Sequence, residues 1–247
     1  MKKIIRNIKC IVKILLTKIP ISRKIIISRG FNLVYKNNLE KLKFQGQFLQ
    51  DMIAYLYFQK KQKGSYIDIG ANDGITVSNT YIFEQLGWGE GEGYCGVCIE
   101  PQPDVFERLR KYRKCDCYNV ALSATSRNDA EFLKFNWANT VGRLNESMSK
   151  IDRNNVQEYG KAQYIKVKTM TFDGIMENYP GIKHIDFLSL DVEGHEMNIL
   201  KTIDFSKYSF GLMTIEKNEP EKIVEYLKQK GYRIFMELEN DIMFVPA

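Results

Sequence analysis

No uninterrupted apolar run in this 247-residue chain is long enough to cross a membrane or to form the core of a secretory signal. Residues 1–19 come nearest, with Ile4, Ile5, Ile8, Ile11, Val12, Leu15 and Ile19 at helical spacing. Lys2, Lys3, Arg6, Lys9, Lys13 and Lys18 interrupt them, and Pro20 ends the run. Acids are missing from the first 39 residues, which hold ten of the 36 Lys and Arg. The rest of the chain carries 26 basic against 30 acidic side chains, so the net charge of +6 belongs to one segment and the body is mildly acidic. A main face that binds nucleic acid would spread basic charge over the fold, and no Asn/Asp-Pro-Pro-aromatic segment occurs. Nucleic acid is therefore excluded as the partner. Internal repeats and low-complexity linkers are absent as well. This predicts a basic N-terminal segment, residues 1–40, followed by one domain over 41–247.

Cysteines number five, an odd count that together with the missing signal favours a reducing compartment. Cys95-x-x-Cys98 and Cys115-x-Cys117 invite a zinc reading. The second pair has one residue between its cysteines where a zinc ribbon needs two, so buried structural thiols are the expectation. Histidines number only two, His184 and His195.

What is present is enough apolar surface for a packed domain: 44% apolar and 12% aromatic residues. The 1–19 pattern is that of an amphipathic helix with a basic side. Two readings stay open for it: peripheral contact with an anionic membrane surface, or packing on the domain with the lysines solvated. The corresponding location is cytoplasmic, with the inner face of the membrane as the peripheral site.

Beyond residue 45 strand and helix patterns alternate. Helices are expected over 48–58, 78–86, 105–112 (capped by Asp104), 171–178 (capped by Thr171), 196–203 and 220–230. Strands are expected over 65–69, 96–100, 115–120, 131–137, 164–168, 185–190 and 210–216, with a terminal antiparallel pair over 232–236 and 242–245. Residues 139–155 have no clear period and read as a surface loop or a cover over a site. The alternation implies an α/β fold: a mostly parallel sheet with helices on both faces.

Ligands of open α/β sheets bind outside the carboxyl ends of the strands. Asp68, Glu100, Asp191 and Glu216 all sit at such ends. The first lies in Ser65-Tyr66-Ile67-Asp68-Ile69-Gly70-Ala71-Asn72-Asp73-Gly74, a buried strand breaking into a glycine turn. Its spacing, Gly70-x-Asn72-x-Gly74, is not the G-x-G-x-x-G of a pyrophosphate cradle, and an acid before the turn suits a cationic ligand. Glu100, about 30 residues further on, is placed to accept hydrogen bonds from ribose hydroxyls, as it would be in a nicotinamide-dependent oxidoreductase too.

Four blocks in order carry a resemblance: Tyr66 to Gly74, Cys98-Ile99-Glu100-Pro101, Asn119-Val120-Ala121-Leu122-Ser123, and Asp186 to Glu196 with its Asp-Val-Glu-Gly. Together they resemble the FkbM family of S-adenosylmethionine-dependent methyltransferases over residues 45–246. The resemblance implies a Rossmann-like class I methyltransferase sheet of seven strands with the last one antiparallel. It also implies O-methylation of a hydroxyl on a sugar, a glycan precursor or a related metabolite. Carried over, Asp68, Gly70, Asn72 and Gly74 match the cofactor loop, Glu100 the ribose acid, and Asn119 to Leu122, including Ala121, the segment near the adenine. Asp191 joins the cofactor group by its position at a strand end. The glycine-rich connection Gly89–Gly93 and the basic N-terminal segment depart from the family pattern.

The implied chemistry suits the residues. S-adenosylmethionine carries a sulfonium and an ammonium, which an acid-lined cleft stabilises. Methyl transfer to an alcohol needs the acceptor held in line and a base within reach of its proton. His195 is the candidate base by its ordinary pKa. Asp191 and Glu193 are alternatives as base, as acceptor-binding groups, or as oxygen ligands of a divalent metal. His184 precedes its strand at the opposite end of the sheet and reads as structural. Two rivals remain at this point: the oxidoreductase, and a non-catalytic membrane-associated binding protein on a methyltransferase fold.

Overall fold

The computed structural model describes residues 43–58, 61–135, 142–144 and 162–247. The helix expected over 1–19 and most of the polar stretch 139–155 lie outside the described residues. The frame is a seven-stranded sheet of β1 (Tyr66–Ile69), β2 (Gly96–Ile99), β3 (Asp116–Tyr118), β8 (His184–Leu190), β9 (Ser209–Glu216), β10 (Tyr232–Glu237) and β11 (Asp241–Pro246). Their order is β3-β2-β1-β8-β9-β11-β10. β1 pairs in parallel with both β2 and β8, whereas β11 runs antiparallel to β9 and β10. This is the class I methyltransferase arrangement, with the last strand reversed and inserted beside the fifth of the seven. Strand order reverses on the two sides of β1, so a crevice opens beyond its carboxyl end.

Alternation along the central strands assigns the two faces. Ile67 and Ile69 of β1 belong to a core with Phe172 and Ile175, Ile199 and Leu200, and Ile223 and Leu227. Those pairs come from α4 (Phe172–Met176), α5 (Glu196–Thr202) and α6 (Pro220–Gln229). Tyr66, Phe187 and Leu212 point the other way, onto Met52 and Ile53, Ile82 and Phe83, and Leu109. These come from α1 (Gln50–Phe58), α2 (Tyr81–Gln85) and α3 (Pro103–Tyr112). Both faces are covered, which is why β1 is buried along its whole length.

A second sheet was not foreseen in the sequence. It comprises β4 (Ala121–Leu122), β5 (Arg127–Phe135), β6 (Gly142–Leu144) and β7 (Ala162–Met170), in the order β4-β7-β5-β6. The strand expected over 115–120 and those near 131 and 164 therefore do not all join one parallel sheet. Asn119 causes the break: its Nδ2 donates to the carbonyls of Glu100 at 2.9 Å and Pro101 at 3.1 Å. That turn sends β3 into the main sheet and β4 into the second, where Ala121 packs with Phe132, Leu144 and Val167.

Two helix starts also differ from expectation. The helix expected from Ser78 begins only at Tyr81, because side chains capture the preceding backbone. Asp73 Oδ1 accepts from the N–H groups of Ile75 and Thr76, and Ser78 Oγ from those of Thr80 and Tyr81. Helix α3 starts one residue before Asp104, at Pro103, whose missing N–H suits a first helical position. Asp104 instead pairs with Lys134. Thr171 caps α4 as expected, its Oγ1 accepting from Gly174 N at 3.0 Å.

Candidate active site

The glycine turn is fixed by what it touches. Gly70 has φ +86°, and a Cβ there would lie 1.8 Å from the Asp191 carbonyl oxygen, so only glycine fits. Gly70 N and Ala71 N both donate to Ile99 O at 3.0 Å, and Asp191 N donates to Ile69 O at 3.0 Å. The tips of β2, β1 and β8 are thereby laced together. Asn72 is left-handed (φ +51°), and its N–H donates to Glu100 Oε2 at 3.1 Å. Gly74 serves packing: a Cβ there would meet Arg113 Cγ at 2.6 Å and Leu109 Cδ1 at 2.7 Å.

Asp68 is buried below this turn. Its Oδ2 accepts from Thr80 Oγ1 at 2.6 Å. Burial raises its pKa, against the opposing pull of the Arg113 charge and of hydrogen bonds from Thr80 and Ser189. Arg113 is itself fully buried. It donates to Glu84 Oε2 (3.1 Å), to Gly74 O (3.2 Å) and to Thr80 Oγ1 (3.1 Å), and its Nη1 lies 3.4 Å from Ser78 Oγ. Glu100, 4% exposed, accepts from Asn72 N and from Gln102 N at 2.9 Å. Burial pushes it up to about 7, while those two N–H groups pull the other way.

The loop after β8 is folded around Glu196. Its Oε1 accepts from Val192 N at 3.0 Å and Gly194 N at 3.1 Å, drawing Glu193 (φ +56°) and Gly194 (φ +102°) into left-handed backbone. Glu196 Oε2 accepts from Asn218 Nδ2 at 3.2 Å. Asp191, Glu193 and Glu216 then converge, with carboxylate oxygens within 4.8 Å of one another. Among the described residues this is the grouping whose spacing could hold a cation with oxygen ligands. Asp191 opens to solvent as a residue, yet its carboxyl is crowded by protein atoms. That crowding, and then the charges of Glu193, Asp241 and Glu196, push it up to about 7. Burial, and then the charges of Asp191, Glu193 and Glu196, raise Glu216 as well.

The glycine turn, Asp68, Glu100 and the loop after β8 line one cavity of about 340 Å³, within the range of small-molecule sites; Glu216 does not reach it. Asp68, Gly70, Asn72, Glu100, Ala121, Asp191, Glu193 and His195 all line it; Gly74 and Asn119 do not. His195, buried at the start of α5, has Nδ1 3.1 Å from Asn198 Nδ2. His184 is exposed at the other end of β8, its Nδ1 2.9 Å from Ser209 Oγ.

Several lining residues escaped the sequence reading. Thr76, Val77, Ser78 and Asn79 come from the loop expected to be partly helical, and Phe132, Gly142 and Leu144 from the second sheet. The lining is divided by element: Asp191 and Glu193 come from the loop after β8, whereas the apolar Ala121, Leu122, Phe132 and Leu144 come from the second sheet. Asn79 Nδ2 donates to Ser189 Oγ at 3.2 Å, while its buried Oδ1 has no hydrogen-bond partner among the described residues. An acceptor left over in the wall of an acid-lined cavity fits a cationic group of a ligand. The Asn79 signal was there, in a polar Ser-Asn-Thr run after the turn; Phe132 gave none.

Residues 68–234 match the methyltransferase FkbM domain. No curated protein sequence matches the chain. Among solved structures, a methyltransferase from Geobacter sulfurreducens is similar at 11% identity, covering 90% of each chain with a TM-score of 0.41. A precorrin 8w decarboxylase from Methanobacterium thermoautotrophicum matches at 11% identity, covering 79% of this chain and 87% of its own (TM-score 0.37). The METTL16 methyltransferase domain matches at 13%, covering 80% and 65% (TM-score 0.38). The assignment rests on the domain match, which spans well over half the chain and contains both the glycine turn and the loop around Glu196: this protein belongs to the FkbM methyltransferase family.

Proposed function

We propose that the protein transfers a methyl group from S-adenosylmethionine to a hydroxyl of a sugar, a glycan precursor or a related metabolite. The observation that carries this reading is the cavity at the strand tips, lined by the acids Asp191 and Glu193 from the loop after β8, by Asp68 and Glu100, and by Ala121, Leu122 and Phe132 from the second sheet. That lining suits a cofactor with a cationic amino-acid end and a flat purine end. Family membership implies the same cofactor.

When bound, S-adenosylmethionine supplies an electrophilic methyl group on a sulfonium. The chain does the rest. Glu100 offers carboxylate oxygens to ribose hydroxyls, exchanging one of its backbone donors for them. Asp191 and Asn79 Oδ1 offer acceptors to an ammonium. The apolar wall excludes water from the purine end. His195 is suited to take the acceptor's hydroxyl proton as the carbon–oxygen bond forms, and Glu193, which lines the same cavity, to orient that hydroxyl. No step here depends on a metal; Asp191, Glu193 and Glu216 would be its ligands if one binds.

Titration calorimetry with S-adenosylmethionine, S-adenosylhomocysteine and NAD tests the cofactor. Binding of both sulfur compounds is expected, and binding of NAD alone would sink the reading. A methyl-transfer screen over cell-surface glycan fractions addresses the acceptor. For residues 1–19 the proposal is peripheral contact with anionic lipid, at the inner face of the membrane for a cytoplasmic enzyme. Equal liposome recovery of the full chain and a chain starting at Asn38 would remove it.

A further inference from the structure

Three thiols cluster away from the cavity, where α3 hands over to β3. Cys98 on β2 is fully buried, and its register partner on β3 is Cys117. Cys115, just before β3, is half-buried, with Sγ 3.5 Å from Cys98 Sγ. The Cys117 thiol donates to the Cys115 carbonyl at 3.4 Å. Cys95 lies in the opposite core layer. Among the described residues these thiols do not form a group with metal-ligating spacing.

A disulfide bond is about 2.05 Å long, so the Cys98 and Cys115 sulfurs need approach by only about 1.5 Å. The Cys117 and Cys98 thiols and the Arg113 guanidinium hold the Cys115 thiol well below the usual range, despite burial, and burial raises Cys98. The pair therefore has a half-buried thiol inclined to ionise and, in contact with it, a fully buried thiol that can resolve it.

This pair adjoins the cofactor loop through Arg113 and Glu84. Cys115 N donates to Glu84 Oε2 at 3.1 Å, the same oxygen that receives Arg113 Nε. Arg113 in turn holds Gly74 O and Thr80 Oγ1, bracketing the residues that line the cavity from Thr76 to Asn79. Pulling Cys115 toward β2 moves its N–H on Glu84 and loosens that bracket.

We propose that Cys98 and Cys115 form a peroxide-responsive thiol pair whose closure into a disulfide weakens cofactor binding through Arg113. The Cys115 thiolate attacks one oxygen of hydrogen peroxide; the O–O bond breaks, hydroxide leaves and a sulfenic acid forms. The Cys98 sulfur then attacks the sulfenic sulfur. The S–O bond breaks, an S–S bond forms, and the hydroxyl leaves as water with the Cys98 proton. The two sulfurs together lose two electrons, which reduce the peroxide. A reductant such as dithiothreitol reverses the change, as a transient disulfide in a reducing compartment requires.

The test treats the reduced full chain with hydrogen peroxide, alkylates remaining thiols and digests with trypsin. Peptides 64–108 and 115–127 should emerge joined, still joined in Cys117→Ser and separate in Cys115→Ser. In Cys98→Ala, dimedone should trap the sulfenic acid on Cys115. S-adenosylhomocysteine should bind the oxidised protein about tenfold more weakly, with recovery on reduction and no loss in Cys115→Ser. Unlinked peptides after peroxide overturn the proposal, as does a link with unchanged affinity. The affinity arm rests on the cofactor reading above; the peptide link does not. Failure of the reduced protein to bind S-adenosylhomocysteine would therefore count against the cofactor while the thiol pair is still judged by its link.

Discussion

Glu100→Gln is the perturbation whose size the structure defines best. Burial raises the Glu100 pKa from about 4.5 to about 7. A group raised in the folded state contributes stability that is complete at low pH and is lost as pH rises through its folded value. At 1.36 kcal/mol per unit, the wild-type protein should lose about 2.5 kcal/mol between pH 5 and pH 8 from this carboxyl alone. Glutamine does not titrate, so the variant should lack that loss. It will also be less stable at pH 5 by roughly 1–3 kcal/mol, because one carbonyl oxygen cannot serve both Asn72 N and Gln102 N as the two carboxyl oxygens do. Urea unfolding of both proteins at both pH values measures the difference of differences, in which the other buried acids cancel to first order. Wild type should converge on the variant, or fall below it, as pH rises. Parallel pH profiles for the two proteins would refute the argument that Glu100 is held against its charge.

Four further outcomes follow from the same contacts. Gly70→Ala should cost more than about 3 kcal/mol or prevent folding, since its Cβ would collide with the Asp191 carbonyl in a backbone region that alanine resists; thermal unfolding reads it. Asp191→Asn should raise the apo melting temperature at pH 8 by relieving repulsion from Glu193, Asp241 and Glu196. The same change should weaken S-adenosylmethionine roughly tenfold to hundredfold, by loss of a charge-assisted hydrogen bond, in calorimetry. His195→Gln should lower kcat by about 10²–10⁴ while leaving S-adenosylhomocysteine affinity unchanged, and an unaltered kcat would remove it as base. Phe132→Ala should cost about 3 kcal/mol of stability and weaken adenosine-containing ligands, because it opens the apolar wall of the cavity.

The two best-read parts of the chain were those whose signals are local. The acid, glycine and asparagine of the turn lie within seven residues, and the backbone demands of Gly70 and Asn72 are met by those residue types. The Asp191–Glu196 run likewise carries its own fold instructions, since Glu196 wraps its own loop. The second sheet was not legible because β4 has only two residues and β5 finds β7 across a long separation. Nothing in the composition of residues 115–122 marks Asn119 as the point of departure; its two hydrogen bonds go to a loop eighteen and nineteen residues earlier. The convergence of Glu216 with Asp191 and Glu193 is a product of strand adjacency between β8 and β9. From sequence it was visible only as one more acid at a strand end.

The lacing of Gly70 to Ile99, of Asp191 to Ile69, and of the Gly70 backbone against the Asp191 carbonyl has a mechanical consequence. The glycine turn and the loop that carries His195 share one stiff mount and cannot swing apart. Among the described residues, closing movement around a ligand is left to residues 76–79 and to the strands bearing Phe132 and Leu144. The laced half acts as an anvil, and differences in ligand size are left to the wall that faces it.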